Sequence, residues 1–364
     1  MPERFYLLVL ALTRGVSLTQ SHALLRHFGT ATAIFENISS IETLRIRKAL
    51  QTNVEAFRRA EAELVFCEQK NIECIGLGDS NYPTRLQDCP DAPLVLFYRG
   101  NINLNAKHIV SVVGTRRITG YGQDICRHFC AELQRIVPDT LVVSGLAYGV
   151  DIEIHRQSLA CGLATLGILA HGIDQIYPAL HRPVAVDMVQ RGGLLTEYIS
   201  QTAPEKGHFV RRNRIVAGIS DATIVVESAL KGGSLITANL AGSYNREVFA
   251  FPGRANDTYS EGCNRIIRRQ EAALITSAED FAEAMMWYTP PTKKKKADQS
   301  QFFPDMTDLE RSVIDILREN ERLQLDQLAV KTGIAVHALN ALLFEMEIKG
   351  WLKPVPGGFY RLLT

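Results

Sequence analysis

The chain has 364 residues, enough for two or three domains rather than one. Its 46% hydrophobic and 22% charged residues fit a folded globular protein and exclude a disordered or collagen-like chain. A net charge of +1 singles out no partner, so any grip on a polyanion has to come from a local cluster.

Seven cysteines without a C-x-x-C pair argue against a disulfide framework. Cys126 and Cys130, four apart on an expected helix, read as core thiols. No apolar run reaches bilayer length and no signal peptide is evident, so the expectation is a cytoplasmic chain with no membrane partner.

Residues 1–75 read as helices. SHALLRHFGTATAIFEN places a helix, a Gly29 stop and a second helix in succession. The pattern is loosely similar to helix-hairpin-helix or sterile-alpha-motif modules, whose hairpins offer backbone amides to DNA phosphate. A packing or protein-contact bundle is the plainer alternative. Residues 76–106 are turn-rich, with one apolar run, Leu94 to Tyr98, that adds a strand to the central sheet.

From residue 108 the pattern alternates. Ile109 to Val113 is a β-branched run of the kind buried on both faces of a sheet, ending in Gly114-Thr115-Arg116. A helix comes next on Ile125, Phe129 and Leu133, stopped by Pro138, and then the strand Leu141 to Val143 runs into Ser144-Gly145. Asp151 is placed to cap the next helix, which carries His155. Further strands lie at Ala164 to Ala170, Leu194 to Glu197, Ala222 to Val226 and Val248 to Phe251. This alternation predicts an α/β fold: a three-layer, mostly parallel sheet over 76–288.

A linker over 289–304, with Lys293 to Lys296, reads as solvated. Residues 305–364 give a helix, a helix-turn-helix and a hairpin around Gly357-Gly358, which describes a winged helix. Its would-be recognition helix, Val336 to Lys349, carries Glu345 and Glu347 and few basic residues. A protein partner is therefore as good an expectation as DNA.

Four loops are expected to converge on the carboxyl edge of the sheet: Gly114-Thr115-Arg116, Ser144-Gly145, Lys206 to Arg214, and Gly232-Gly233-Ser234, with Thr237 just beyond the last. In doubly wound sheets, ligands bind at that edge. Glycine turns before helix starts favour anions, and hydroxyls and guanidinium groups add donors for phosphate oxygens. Phe209, inside the most basic stretch, offers a face for an unpaired base. Asn213 lies between arginines and suits a base edge or a loop brace. Arg214 has an alternative use, pairing with Glu227 or Asp151. No P-loop, no metal-ligand spacing and no nucleophile with its own base is present.

These motifs together closely resemble the DprA/Smf family of DNA-processing proteins. The resemblance runs through VGTRRITGYG, VVSGLAYGVDIEIH, GILAHGIDQIYP, GLLTEY, FVRRNRIVAG, IVVESALKGGSLITANLA, REVFAFPG and EGCNRII. It implies an extended Rossmann-like fold flanked by the amino-terminal helical module and the winged helix. It also implies single-stranded DNA binding without a nucleotide cofactor, a homodimer, and loading of the RecA recombinase against single-strand-binding protein. By position, the DNA grip comprises Gly114, Thr115, Arg116, Ser144, Gly145, Lys206, Phe209, Arg212, Asn213, Arg214, Gly233, Ser234 and Thr237, with no catalytic residue.

This chain departs from the family pattern at Thr115 for Ser, Val210 for Pro and His181 for Asn. The stretch EGCNRIIRRQEA, toward the expected dimer edge, also lacks a late glycine. Two rival readings remain. One is a phosphoribohydrolase-type enzyme using Glu227, Glu197 and His171, although KGGSLITAN lacks the glutamate of P-G-G-x-G-T-x-x-E. The other is a scaffold whose end modules recruit partners around a vestigial centre.

Overall fold

Apolar runs with both faces covered organise the chain. The computed structural model describes residues 2–288, 306–320, 322–355 and 358–362. The linker expected at 289–304, and Gly357 of the expected hairpin, lie outside the described residues. The chain divides into two compact units, Met1–Pro290 and Pro291–Thr364.

The first unit opens with helices α1 (Glu3–Leu12), α2 (Leu18–Phe28), α3 (Ala31–Glu36), α4 (Leu44–Thr52) and α5 (Val54–Gln69). Ser17 and Gln20 start α2 with a capping box, and Gly29 at φ +84° ends it. Strand β1 (Glu73–Gly76), short helix α6 (Thr84–Gln87) and strand β2 (Val95–Gly100) come after them. The expectation of helix up to residue 75 is thus corrected at its end. Cys74, Ile75 and Gly76 are buried, and the segment pairs antiparallel with β2, an outcome set by tertiary pairing rather than local pattern.

Next come β3 (His108–Val113), α7 (Gly120–Ile136), β4 (Thr140–Ser144), α8 (Val150–Cys161), β5 (Ala164–Ile168), α9 (Arg182–Arg191) and β6 (Gly192–Thr196). The unit finishes with α10 (Lys206–Gly218), β7 (Ala222–Val225), α11 (Gly233–Ser243), β8 (Glu247–Ala250), α12 (Glu261–Arg268), β9 (Ala273–Leu274) and α13 (Ala278–Ala284). The nine strands form one sheet in the order β1-β2-β6-β5-β4-β3-β7-β8-β9. Only β1–β2 and β2–β6 pair antiparallel, so the fold is α/β with a mostly parallel sheet.

Alternation along β3 shows why its run is continuously apolar. Ile109 and Val113 pack in a cluster with Ile215 and Val216 of α10 and Leu235 of α11. Val110 and Val112 pack in another cluster with Phe129 of α7, Ile154 of α8 and Phe281 of α13. Ser111 lies between them, its hydroxyl donating to the Val216 carbonyl at 2.6 Å. A third cluster joins the amino-terminal helices to β1, β2 and α9, so those helices share one continuous core with the sheet.

The strand order reverses between β3 and β7. The chain steps from β3 through β4 and β5 to β6 on one side, then returns to place β7 on the other. The connections from β3 and β7 therefore leave toward opposite faces, opening a crevice at their carboxyl ends.

The second unit contains α14 (Asp308–Glu319), β10 (Leu323–Gln324), α15 (Leu325–Thr332), α16 (Val336–Ile348), β11 (Leu352–Val355) and β12 (Phe359–Leu362). Its three strands lie in the order β10-β12-β11, completing a winged helix. A capping box between Thr307 and Glu310 starts α14, and Lys349 donates to Glu310 at 2.7 Å.

Candidate nucleic-acid interface

Three turns at the reversal point are stitched to one another by backbone hydrogen bonds. Thr115 N–H, after β3, donates to the Glu227 carbonyl after β7 at 2.7 Å. Val150 N–H, after β4, donates to the Thr115 carbonyl at 3.1 Å. The Glu227 carboxylate accepts from Thr119 N–H at 3.0 Å and from its hydroxyl at 2.5 Å, fixing the far end of the 114–119 turn. Gly149, at φ +79°, lies so close to Thr115 and Arg116 that any side chain would collide with their backbone.

These turns and α10 enclose a cleft of about 570 Å³. Eleven of the thirteen expected residues line it: Gly114, Thr115, Arg116, Gly145, Lys206, Phe209, Arg212, Asn213, Gly233, Ser234 and Thr237. The stretch from Lys206 to Arg214 is not a loop, however. It forms the first turns of α10, and its spacing sorts the residues by face. Lys206, Phe209, Val210 and Asn213, at i, i+3, i+4 and i+7, share the cleft side.

Two expected grips are corrected by this geometry. Ser144 is fully buried and its hydroxyl donates to the Val112 carbonyl at 2.6 Å, so it is not among the residues lining the cleft. Arg214, about one hundred degrees of helix beyond Asn213, is also absent from the lining. It is buried against Glu197 at 2.5 Å and donates to the Asp91 carbonyl. Neither proposed partner of Arg214, Glu227 or Asp151, is the one it uses.

Arg212 reaches the cleft from beneath. It is 3% exposed, donates to the Ile168 carbonyl, and fills the space that a side chain at Gly145 would need. Asp151 sits beside it in the lining. The expected cap role for Asp151 does not hold, because the N-cap of α8 is Gly149, with no side-chain cap, and the Asp151 carboxylate accepts instead from Ala147 N–H at 3.4 Å. Burial pushes the Asp151 carboxyl above its ordinary pKa, opposed chiefly by the Arg212 charge. Arg212 thus compensates an internal carboxylate and shapes the floor of the cleft.

The exposed charges at the mouth are Arg116 and Lys206. Among the described residues neither forms an ion pair. The Arg116 guanidinium stands over the Phe209 ring, 5.4 Å from its centroid. Helix α11 follows its N-cap Gly232 with no side-chain cap, and Gly232, Gly233 and Ser234 all line the cleft, an uncapped helix start of the kind that favours anions. Ser234 donates its hydroxyl to Ser228 at 2.9 Å, holding that turn in place.

Tyr148 and Tyr177, both 46% exposed, also line the cleft, and neither is among the expected site residues. The Tyr177 ring meets Phe209 edge-on with centroids 5.9 Å apart. Both tyrosines come after strands that end at the same edge, β4 and β5, and that placement was the available signal for them. Val210 and Ile236 add exposed apolar surface, giving a trough with aromatic walls and a cationic mouth.

The acid/base candidates of the enzyme reading are engaged elsewhere. Glu227 is bound to Thr119, and Glu197 pairs with Arg214 and with Arg211. His171 has both ring nitrogens engaged, with the Gly172 carbonyl at 2.9 Å and Tyr177 N–H at 3.2 Å. His155 is fully buried against the Thr165 hydroxyl, and burial lowers its pKa to about 3. In the amino-terminal module, the hairpin amides of Ala31 and Thr32 are already taken by the Glu3 carboxylate at 2.5 and 2.9 Å. That geometry favours packing over a helix-hairpin-helix grip on phosphate.

Comparison with known proteins fits this arrangement. The model of the family described as DNA recombination-mediator protein A matches residues 73–286, and that of the DprA winged helix domain matches residues 292–358. The chain belongs to the DprA/Smf family of DNA-processing proteins. It is 33% identical over 308 residues to Protein Smf of Escherichia coli (strain K12), covering 83% of this chain and 80% of that one. It is 37% identical over 249 residues to DNA processing protein DprA of Bacillus subtilis (strain 168), covering 67% of this chain and 83% of that one.

Among solved DprA structures, that of Streptococcus pneumoniae superposes with a TM-score of 0.64 at 29% identity, covering 79% of this chain and 99% of that one. The Helicobacter pylori DprA structure, described for its single-stranded DNA binding mode, gives a TM-score of 0.54 at 30% identity over 60% of this chain and 97% of that one. Among the described residues of this DprA/Smf chain, no single helix is long and apolar enough to cross a membrane.

Proposed function

We propose that the chain holds single-stranded DNA in the cleft at the carboxyl ends of β3, β4 and β7 and acts as a recombination mediator rather than an enzyme. In this reading it loads RecA onto incoming strands and overcomes single-strand-binding protein. The observation that carries it is the makeup of the cleft. An uncapped helix start and two cations with no ion pair among the described residues stand beside solvent-facing aromatic rings. Phosphate contacts supply affinity without sequence preference, and stacking selects unpaired bases over duplex.

The eleven expected residues that line the cleft, joined by Tyr148 and Tyr177, form the grip. No nucleotide cofactor enters this scheme. The open edge strand β9, with Leu274 51% exposed, offers the pairing edge for a homodimer.

Residues 76–288 carry the DNA site, 1–75 buttress it, and 305–364 recruit a partner beyond the linker. For the winged helix a protein partner fits best. Phe344 and Ile348 on α16 are 63% and 72% exposed beside Glu345 and Glu347, a face unsuited to phosphate.

Filter binding of oligo-dT and of a duplex of equal length, across a salt series, tests this reading. The single strand is expected to bind more tightly, with affinity falling steeply as salt rises. Equal affinity for both forms, or a flat salt response, would overturn it. Assembly of RecA on strands precoated with single-strand-binding protein, with and without this chain, tests the mediator role. No acceleration by the chain would remove that role.

A further inference from the structure

Helix α5, in the amino-terminal module, grips the loop that runs from β6 toward the cleft. Glu63 is fully buried, and its carboxylate accepts from Ser200 N–H at 2.8 Å and from the Ser200 hydroxyl at 2.7 Å. Arg59, one turn earlier, pairs with Glu63 at 2.8 Å and donates to the Ser200 carbonyl at 2.8 Å. Every polar atom of Ser200 is thus held by one helix turn. A buried carboxylate is costly unless its donors stay in place, so this contact fixes the loop.

The loop passes that constraint on. Gln201 N–H donates to Asp174 at 3.0 Å, and the Thr202 carbonyl accepts from Gly172 N–H at 3.0 Å and from the Gln175 side chain at 2.7 Å. Gly172 leaves no room for a side chain between Asp174 and the Ile199 carbonyl, so the two loops lie backbone to backbone. The second loop ends at Tyr177, whose ring sets against Phe209. Beyond Thr202 the first loop supplies Pro204 and leads into α10, and both Pro204 and Lys206 of α10 line the cleft.

We propose that Glu63 is a positioning residue for the DNA cleft: through Ser200 it seats the loop that carries Tyr177. The inference rests on the single-stranded DNA reading above and gives the amino-terminal helices a role in affinity without contact with DNA. Glu63→Gln keeps the shape but loses the charge and one acceptor for Ser200. Tyr177 then loses its fixed seat, while no phosphate contact is removed.

The test measures a fluorescein-labelled oligo-dT by anisotropy against the full chain and its Glu63→Gln, Tyr177→Ala, double and Glu61→Gln variants. Each is titrated across a salt series, with folding checked by circular dichroism. Glu63→Gln is expected to weaken binding by about fivefold with the parental salt slope, since the slope counts phosphates. Adding Tyr177→Ala to it should cost under about twofold more, because residues in one network are not additive. Glu61→Gln, on the exposed face of the same helix, should bind as the parent does.

A folded Glu63→Gln variant binding within about twofold of the parent would overturn the inference, as would losses that simply multiply. If Glu63→Gln does not fold, Ser200→Ala carries the same test, with about threefold expected and the same non-additivity. A parent chain that fails to bind oligo-dT would overturn the DNA reading itself, a distinguishable result.

Discussion

Arg116→Ala and Lys206→Ala are each expected to weaken oligo-dT binding by about tenfold at low salt, about 1.4 kcal/mol. Each should also flatten the plot of log affinity against log salt by about 0.7, the contribution of one neutralised phosphate on a single strand. The double variant should lose about twice that slope. The reason is geometric: these are the exposed cations at the cleft mouth, and among the described residues neither forms an ion pair. Arg116→Ala should cost somewhat more, because the guanidinium also braces the Phe209 ring. An unchanged slope in both variants, measured by anisotropy over a salt series, would place the phosphate path elsewhere.

Arg214→Ala is expected to act on stability instead. Its partner Glu197 is 8% exposed in the side chain, and removing one member of a buried pair strands the other. Such losses run at about 3–5 kcal/mol. Arg211 stays 3.4 Å from Glu197 and offers partial compensation, which argues for the lower end of that range. A loss of about 3 kcal/mol is a large share of the roughly 5–15 kcal/mol that keeps a domain folded. Denaturant unfolding reads it as a lower midpoint with an unchanged m-value. The folded fraction should keep the parental salt slope. A stable Arg214→Ala variant with a flattened slope would return Arg214 to the DNA grip.

The contrast between Arg214 and Lys206 shows what the sequence could and could not reveal. Strand positions were legible because a buried parallel strand writes a continuous apolar run, as Ile109 to Val113 does. The glycine turns marked the carboxyl edge for the same local reason. What stayed hidden was which face of a helix each basic residue takes. FVRRNR reads as one cationic cluster, yet α10 turns Arg212 beneath the floor and Arg214 toward Glu197.

Tyr148 and Tyr177 were missed because an aromatic residue in a loop carries no pattern until the strand before it is placed in the sheet. Strand β1 was missed for a related reason. ECIG is too short to declare itself before β2 lies beside it. The link from Glu63 to Ser200 spans 137 positions and leaves no trace in spacing.

Photocrosslinking most directly tests whether this cleft holds a single strand. An oligonucleotide carrying 5-bromouracil, irradiated on the full chain and digested for mass spectrometry, is expected to yield adducts at Phe209, Tyr177 and Tyr148. Adducts confined to the winged helix or the amino-terminal helices, with none on those three rings, would contradict the account.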